Sequence, residues 1–392
     1  MNSIVQFLYN ILWGINNVVG NYGIAIILFT ILIRMVCLPF DYKSRKGMRK
    51  MSLIQPKLNE LQRKYGNDKQ KFQQKQAELM RKEGYNPLSS CLPMLLTWPL
   101  MIAMFTAMRS IASEQTAVQT LRFLVDGENA IRPAEHFLWV KNIWMTDSPF
   151  TSIAPSLDYL ANSERMGLSM DVWAKALSQL SNEEILMVVD RLGLSLQSLI
   201  ALPADGAASA VLTESFFQLS PSDMLSALQG ADVQLGALIT GSSLTSAGFT
   251  LQSLCTNLAA VPEYQAAIAK VPGWEGINLW LIHLSLYQNY NGLLLFPILA
   301  GVSQILQTKL NPQMREQQQV QPNGQNTGMG NFMKYFFPIL SIYFCLSSNA
   351  GFAVYWVTST VVMWVQSVLI TKYLERKDAQ STENVVGEGS VK

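Results

Sequence analysis

The chain has 392 residues, of which 49% are hydrophobic and only 14% are charged, and its mean hydropathy is +0.17. This composition argues against a soluble protein and indicates a membrane protein. The net charge of +2 conceals two opposed segments. Residues 41–87 contain 13 Lys/Arg and 5 Asp/Glu, a net charge of +8, whereas residues 151–275 contain 4 and 12, a net charge of −8.

The first 33 residues carry no charge, so the positive region of a signal peptide is missing and we expect the N-terminus to remain as structure. Residues 1–22 predict an amphipathic helix in the membrane interface, because Ile4, Leu8, Ile11 and Ile15 share one helical face. The alternative is an ordinary flank of the first membrane span.

Five apolar runs are near the ~20 residues that cross ~30 Å of hydrocarbon. The predicted spans are 23–40, 91–110, 292–310, 335–349 and 352–373. Lysine and arginine favour the cytoplasmic side, which places residues 41–90, the loop 311–334 and the tail 374–392 inside. The N-terminus and the long segment 111–291 then lie outside.

The basic segment 41–90 has helical spacing of its apolar residues, with a break at Gly66. It predicts a cytoplasmic helical hairpin that docks partners. The alternative is a solvated loop attracted to anionic lipid headgroups.

The outside segment predicts an inserted helical domain over about 151–275. A loose theme recurs there, as in "RLGLSLQSLIAL" and "SAGFTLQSLC". Its glycines, at positions 167, 193, 230 and 248, are unevenly spaced, so it does not predict a solenoid of fixed period.

No pattern of catalytic or metal-binding residues is present in the sequence. The two histidines, His136 and His283, lie outside the predicted spans, and the four cysteines have no metal-ligand spacing. The five spans contain no Asp, Glu or His, which argues against proton-coupled transport. We therefore expect no enzyme activity, cofactor or metal.

Arg34 is the exception, since it lies inside the first span. An arginine near mid-membrane costs roughly 2.5–3.5 kcal/mol and usually has a partner. The other spans contain no acidic residue that could pair with it. Polar residues are present, among them Thr30, one turn earlier in the same span, and Thr97 and Gln304 in other spans. Together they predict a hydrated cavity, and the alternative is an Arg34 side chain that reaches the headgroups.

Long motifs resemble one family in its own order. "YGIAIILFTILIRMVCLPF" is similar to its first span, "QPK" and "YGND" to its basic hairpin, and "NPLSSCLPMLLTWPLMIAMF" to its second span. "FLWVKNIWMTDSP", "LLLFPILAGVSQILQTKL" and "FFPILSIYFCLSSNAGFAVYW" follow in the expected order. The chain resembles the YidC/Oxa/Albino membrane protein insertases over roughly residues 1–150 and 277–376.

The resemblance implies an all-α fold with five transmembrane helices around a hydrophilic groove. It implies that the protein inserts and helps fold newly made membrane proteins, alone or with the Sec translocon. The groove arginine of the family corresponds to Arg34, the polar residue before it to Thr30, and the substrate-contacting aromatic to Trp356, beside Tyr355. With Thr97 and Gln304 these are the candidate substrate-binding residues.

The implied partners are nascent membrane proteins, the Sec translocon, the ribosome and anionic lipids, without direct nucleic-acid contact. The implied location is a bacterial plasma membrane, of Gram-positive type since the large periplasmic domain of other members is absent. The inserted segment after Pro149 departs from the family, and the resemblance does not give its role.

Two other classes remain open on the sequence. One is a small-solute channel or transporter that uses the same polar cavity. The other is a scaffold whose outside domain recruits partners and whose membrane helices serve only as an anchor. An arginine inside a span argues against it, because an anchor has no need of one.

Overall fold

The computed structural model describes residues 3–66, 68–84, 87–162, 167–201, 207–279, 282–310 and 328–389. Over these ranges the chain is helical, as predicted, except for one antiparallel pair of short strands, β1 (Ile277–Leu279) and β2 (Ile282–Leu284). The helices are α1 (Ser3–Val19), α2 (Tyr22–Tyr65), α3 (Lys69–Lys82), α4 (Pro87–Val125), α5 (Leu157–Ala161), α6 (Met170–Leu177), α7 (Asn182–Leu192), α8 (Leu196–Leu199), α9 (Ala207–Val211), α10 (Pro221–Gly230), α11 (Gly241–Ser246), α12 (Leu251–Ala259), α13 (Pro262–Ile268), α14 (Leu295–Leu310), α15 (Gly328–Ser347) and α16 (Ala350–Gly389).

Three helices are longer than a membrane is thick. α2 has 44 residues, α4 has 39 and α16 has 40, so α2 alone extends about 66 Å against ~30 Å of hydrocarbon. Pro39 and Pro56 lie inside α2 without ending it. The predicted span 23–40 and the first helix of the predicted hairpin are therefore one continuous helix, without a boundary at residue 41.

The apolar helices are suited to lipid. Among the described residues, Tyr22–Gly47 and Ala350–Lys377 are long and apolar enough to cross a membrane, and Tyr335–Ser347 is a shorter apolar stretch. Large apolar side chains also remain exposed on α2, α14, α15 and α16, an arrangement that would be unfavourable in water. They include Leu28, Leu32, Met35, Val36, Ile298, Leu299, Val302, Leu306, Ile339, Tyr343, Val365 and Leu369. The chain is a membrane protein.

The protein has two hydrophobic cores, and α4 contributes to both. The first core lies among α1, α2, α4, α14, α15 and α16, and Met104, Met108 and Ile111 of α4 are buried in it. Further along the same helix, Leu121 and Leu124 are buried in a second core that continues to Ala267. The second core thus begins within α4, earlier than the boundary near residue 151 that the sequence analysis gave to the inserted domain.

Helix α1 packs against α2 and α4. Its buried residues are Val5, Leu8, Tyr9, Leu12 and Asn16. The face predicted from Ile4, Leu8, Ile11 and Ile15 is therefore rotated from the observed one. Ile4 is 62% exposed, whereas Ile11 and Ile15 are only partly buried.

A buried carboxylate fixes the orientation of α1. The hydroxyl of Tyr9 donates to Glu114 Oε2 at 2.6 Å, and Lys175 Nζ of α6 contacts Glu114 Oε1. Lys175 also lies 4.1 Å from the centre of the Tyr9 ring. Burial and the neighbouring Glu114 raise the pKa of Tyr9, so its hydroxyl remains a donor. This cluster joins α1, α4 and the second core.

The recurring theme of the sequence corresponds to a turn. At Gly167, Gly193, Asp232 and Gly248 the backbone has positive φ, and the next residue is buried. At the third turn Asp232 has the positive φ, and Gly230 of the recurring theme does not. Aspartate is among the few residues that tolerate this conformation.

Two of these turns belong to a duplicated unit. Ser181 caps α7 and Ser220 caps α10, and the same sequence spacing separates Ser181 from Ser220 and Gly193 from Asp232. Matching hydrogen bonds close both turns, from Leu194 N to Val189 O and from Val233 N to Leu228 O. The two units meet in an antiparallel bridge between the equivalent residues Ile200 and Ile239.

The loop before α14 is held by Asp147, which is fully buried. Its carboxylate accepts hydrogen bonds from Leu293 N and Phe296 N, both at 2.7 Å, and from Trp139 Nε1 at 3.1 Å. A carboxylate at a helix N-terminus satisfies backbone donors and interacts favourably with the helix dipole. Asp147 therefore fixes the point at which α14 begins.

Glu135 gives the fold a pH dependence. Its carboxyl is 1% exposed, and burial raises its pKa from 4.5 to about 7, despite opposing effects of Gln119, Arg122 and Arg132. The folded protein therefore holds this proton more tightly than the unfolded chain, so the stability contribution falls as pH rises from about 4.5 to 7.

The Glu135→Gln variant should lose this dependence. We expect its unfolding temperature in detergent to decrease less between pH 5 and pH 8 than that of the parent protein. The difference between the two proteins corresponds to at most about 3 kcal/mol. Equal decreases would show that Glu135 does not titrate in this range.

Candidate functional site

A cavity of about 370 Å³ lies among α2, α4, α14, α15 and α16. On each helix the lining residues follow helical spacing, so one face of each turns inward. Among the residues that the structure describes, the lining consists of Thr30, Ile33, Arg34, Cys37, Leu100, Met101, Gln304, Gln307, Phe337, Leu340, Ser341, Phe344, Tyr355, Trp356, Ser359, Thr360 and Met363. The cavity therefore has mixed walls, with apolar and aromatic side chains around a polar set.

Arg34 is the only formally charged residue in this lining. It is half-buried, and its Nε donates to Ser359 Oγ at 3.0 Å, while its Nη2 donates to the same oxygen. Its backbone carbonyl accepts from Gln366 Nε2 at 3.0 Å. Within the described part of the chain, no carboxylate forms an ion pair with Arg34. Asp41, the next acid along α2, lies about 10 Å further along the helix axis.

The structure brings most of the predicted site residues together. Thr30, Arg34, Gln304, Tyr355 and Trp356 all line the cavity. Thr30 is buried, and its hydroxyl donates to Ile26 O at 2.6 Å, so this donor is used within its own helix.

The two aromatic residues lie on α16. The Trp356 ring packs at 5.6 Å from Phe352 and at 6.2 Å from Phe344, measured between centroids. Its Nε1 has no hydrogen-bond partner among the described residues. Thr97 lies in α4, but its side chain is outside the described residues.

Ser359, the partner of Arg34, is not among the predicted site residues. It was visible only as one of several polar residues in the last span, one turn after Tyr355. Gln307, Ser341 and Thr360 add further polar groups to the lining. Each of the three follows another lining residue, Gln304, Phe337 or Trp356, by three or four positions. This spacing places the two residues of each pair on the same face of their helix.

The arrangement is suited to binding. None of the described lining residues is Asp, Glu or His, so the lining itself supplies no general base for a nucleophile. Over the residues that the structure describes, no group of three potential metal ligands occurs. A half-buried guanidinium with a neutral partner can instead receive an acidic group.

A second cavity, of about 300 Å³, lies between the apolar helices and the second core. Its lining includes Phe105 and Phe352, whereas Phe344 and Trp356 line the first cavity. The Phe105 and Phe352 rings are in contact, at 5.2 Å between centroids. Packed aromatic rings thus lie between the two cavities.

The family model described as 60Kd inner membrane protein matches residues 14–203 and 264–378. The unmatched stretch between them lies within the second core.

Three bacterial proteins named membrane protein insertase YidC are similar to the chain. That of Clostridium tetani is 32% identical over 162 residues, which cover 40% of this chain and 66% of the relative. That of Fusobacterium nucleatum is 43% identical over 109 residues, which cover 28% of this chain and 53% of the relative. That of Caldanaerobacter subterraneus is 41% identical over 117 residues, which cover 30% of this chain and 57% of the relative.

The alignments thus span from about half to just under two thirds of these relatives' length. The family model, in contrast, matches most of the chain, on both sides of residues 204–263. The chain therefore belongs to the 60Kd inner membrane protein family, the YidC family that its motifs resemble.

Proposed function

We propose that this protein is a membrane protein insertase that integrates and helps fold newly made membrane proteins. The observation that carries the proposal is Arg34, a half-buried cation whose partner is a serine hydroxyl in a lining that contains no acid. The relatives' name, membrane protein insertase, supports the same function.

The proposed core has five membrane-spanning helices. They are the apolar parts of α2, α4, α14, α15 and α16, which line the first cavity together. The basic hairpin formed by the end of α2 and α3 lies in the cytoplasm, and the acidic segment 151–275 lies outside. The N-terminus is outside and the C-terminal tail is cytoplasmic, with α1 in the outer interface.

In this mechanism an apolar segment with a short acidic flank enters the cavity from the cytoplasm. Arg34 and water in the cavity lower the free energy of drawing the flank into the membrane. The apolar segment then moves sideways into lipid, driven by ~0.8 kcal/mol per buried CH₂, so no nucleotide is needed. The candidate contacts are Arg34, Thr30, Gln304, Tyr355 and Trp356, with Thr97 on α4.

Nascent membrane proteins are the proposed substrates. The Sec translocon, the ribosome and anionic lipids are the proposed partners at the cytoplasmic side. The hairpin suits such contacts, because a surface cleft between its helices is lined by Lys57, Lys64, Lys75 and Lys82 together with Glu60 and Glu78. The proposal involves no cofactor and no covalent chemistry.

The alternative is a small-solute channel or transporter. It would need a path that joins the two cavities. The contact between Phe105 and Phe352 and the packing of Phe352 on Trp356 oppose such a path.

Reconstitution distinguishes the two functions. We expect vesicles that contain the purified chain to protect a single-span substrate from added protease, whereas empty vesicles do not. We expect no release of a small entrapped dye. Dye release without protease protection would support the channel and contradict the insertase.

A further inference from the structure

Ser359 contacts one particular edge of the Arg34 guanidinium. Both Nε and Nη2, which point in nearly the same direction, donate to the single Ser359 oxygen. This edge is one of those that a carboxylate binds with two parallel hydrogen bonds. The serine therefore occupies the place that an acidic group would take.

The surroundings hold this contact in place. Ser359 is 5% exposed on α16, and the neighbouring Gln366 donates to the Arg34 backbone carbonyl, so α16 fixes both ends of the arginine. A long side chain that is already oriented loses less conformational entropy when it binds a ligand.

The neutral character of the partner matters as much as its position. A hydroxyl satisfies N–H donors without cancelling the positive charge, whereas a carboxylate at the same position would cancel it. A hydroxyl is also the weaker acceptor, so a substrate carboxylate can replace it.

We propose that Ser359 is a positioning residue, the resting partner of Arg34 that the carboxylate of a substrate's acidic flank displaces. This inference rests on the proposed insertase function and assigns how its cation is kept available. It predicts that an acid built into position 359 competes with the substrate's own acid.

The test uses the full chain in vesicles and two single-span substrates that differ only in an Asp-rich or Asn-rich flank. Ser359→Asp should reduce insertion of the Asp-rich substrate by about tenfold or more, to the level of Arg34→Ser. Insertion of the Asn-rich substrate should decrease less than that of the Asp-rich substrate, and unfolding temperatures in detergent close to that of the parent protein show that the variants are folded.

A matched control lies on the same helix. Arg45 Nη1 contacts Ser367 Oγ at 2.5 Å outside the cavity lining, so Ser367→Asp adds the same charge beside another arginine. We expect it to insert both substrates normally. The exchanged pair, Arg34→Ser with Ser359→Arg, should restore insertion of the Asp-rich substrate relative to Arg34→Ser, because the cation returns to the same cavity.

Three results would overturn the inference. These are normal insertion of the Asp-rich substrate by Ser359→Asp, an equal loss in Ser367→Asp, or no restoration in the exchanged pair. Failure of the proposed role of the charge itself gives a different result, since Arg34→Ser alone would then insert the Asp-rich substrate normally.

Discussion

Replacement of Arg34 by alanine is expected to reduce insertion of substrates with acidic translocated flanks by at least about tenfold. The reason is that alanine removes the only formal charge from the cavity lining. A carboxylate entering the cavity would then lose hydration without gaining a charged partner. Protease protection in reconstituted vesicles measures the effect.

Arg34→Lys is the matched control for this variant. Lysine keeps the positive charge, so we expect it to preserve most of the insertion. It cannot form the two parallel hydrogen bonds of a guanidinium, and a modest loss is therefore expected. Normal insertion of acidic flanks by Arg34→Ala would contradict the role of the charge, whatever the lysine variant does.

Replacement of Asp147 by alanine is expected to destabilise the protein by about 3 kcal/mol or more. The variant leaves the N–H groups of Leu293, Phe296 and Trp139 without their buried acceptor. It also removes the negative charge at the start of α14. The unfolding temperature in detergent should decrease clearly.

Asp190→Ala provides the comparison, since Asp190 is exposed on α7. Its effect should stay within about 0.5 kcal/mol. Equal unfolding temperatures for the two variants would show that Asp147 does not anchor α14. The close approach of Gly292 supports the anchor, because a Cβ there would lie 2.0 Å from Asp147 Oδ1.

The helical class of the fold could be predicted from the sequence because the apolar runs are long. Arg34 was identified as a candidate because a cation in such a run is unusual. Its partner could not be identified in this way. Ser359 lies 325 residues further along the chain. The last two spans contain several polar residues that could have paired with Arg34, and only the packing of α2 on α16 shows that Ser359 is the partner.

Two other differences have local reasons. The buried face of α1 was assigned from aliphatic residues alone, whereas Tyr9 is buried because its hydroxyl meets Glu114. The glycines of the recurring theme do not mark every turn of the second core, since Asp232 has the positive φ at the third. Asp147 was part of a quoted motif, but its role depends on a loop contact with the start of α14.

The sharing of α4 between the two cores restricts how this chain can be shortened. A deletion from 151 to 275 would leave Leu121 and Leu124 of α4 without the residues that cover them. It would also remove Lys175 and leave the buried Glu114 carboxylate without its cation. A shortened version has to keep Ile143 and Trp144, which belong to the other core, and the Asp147 that holds α14. It therefore needs polar replacements at Leu121, Leu124 and Glu114 at the same time.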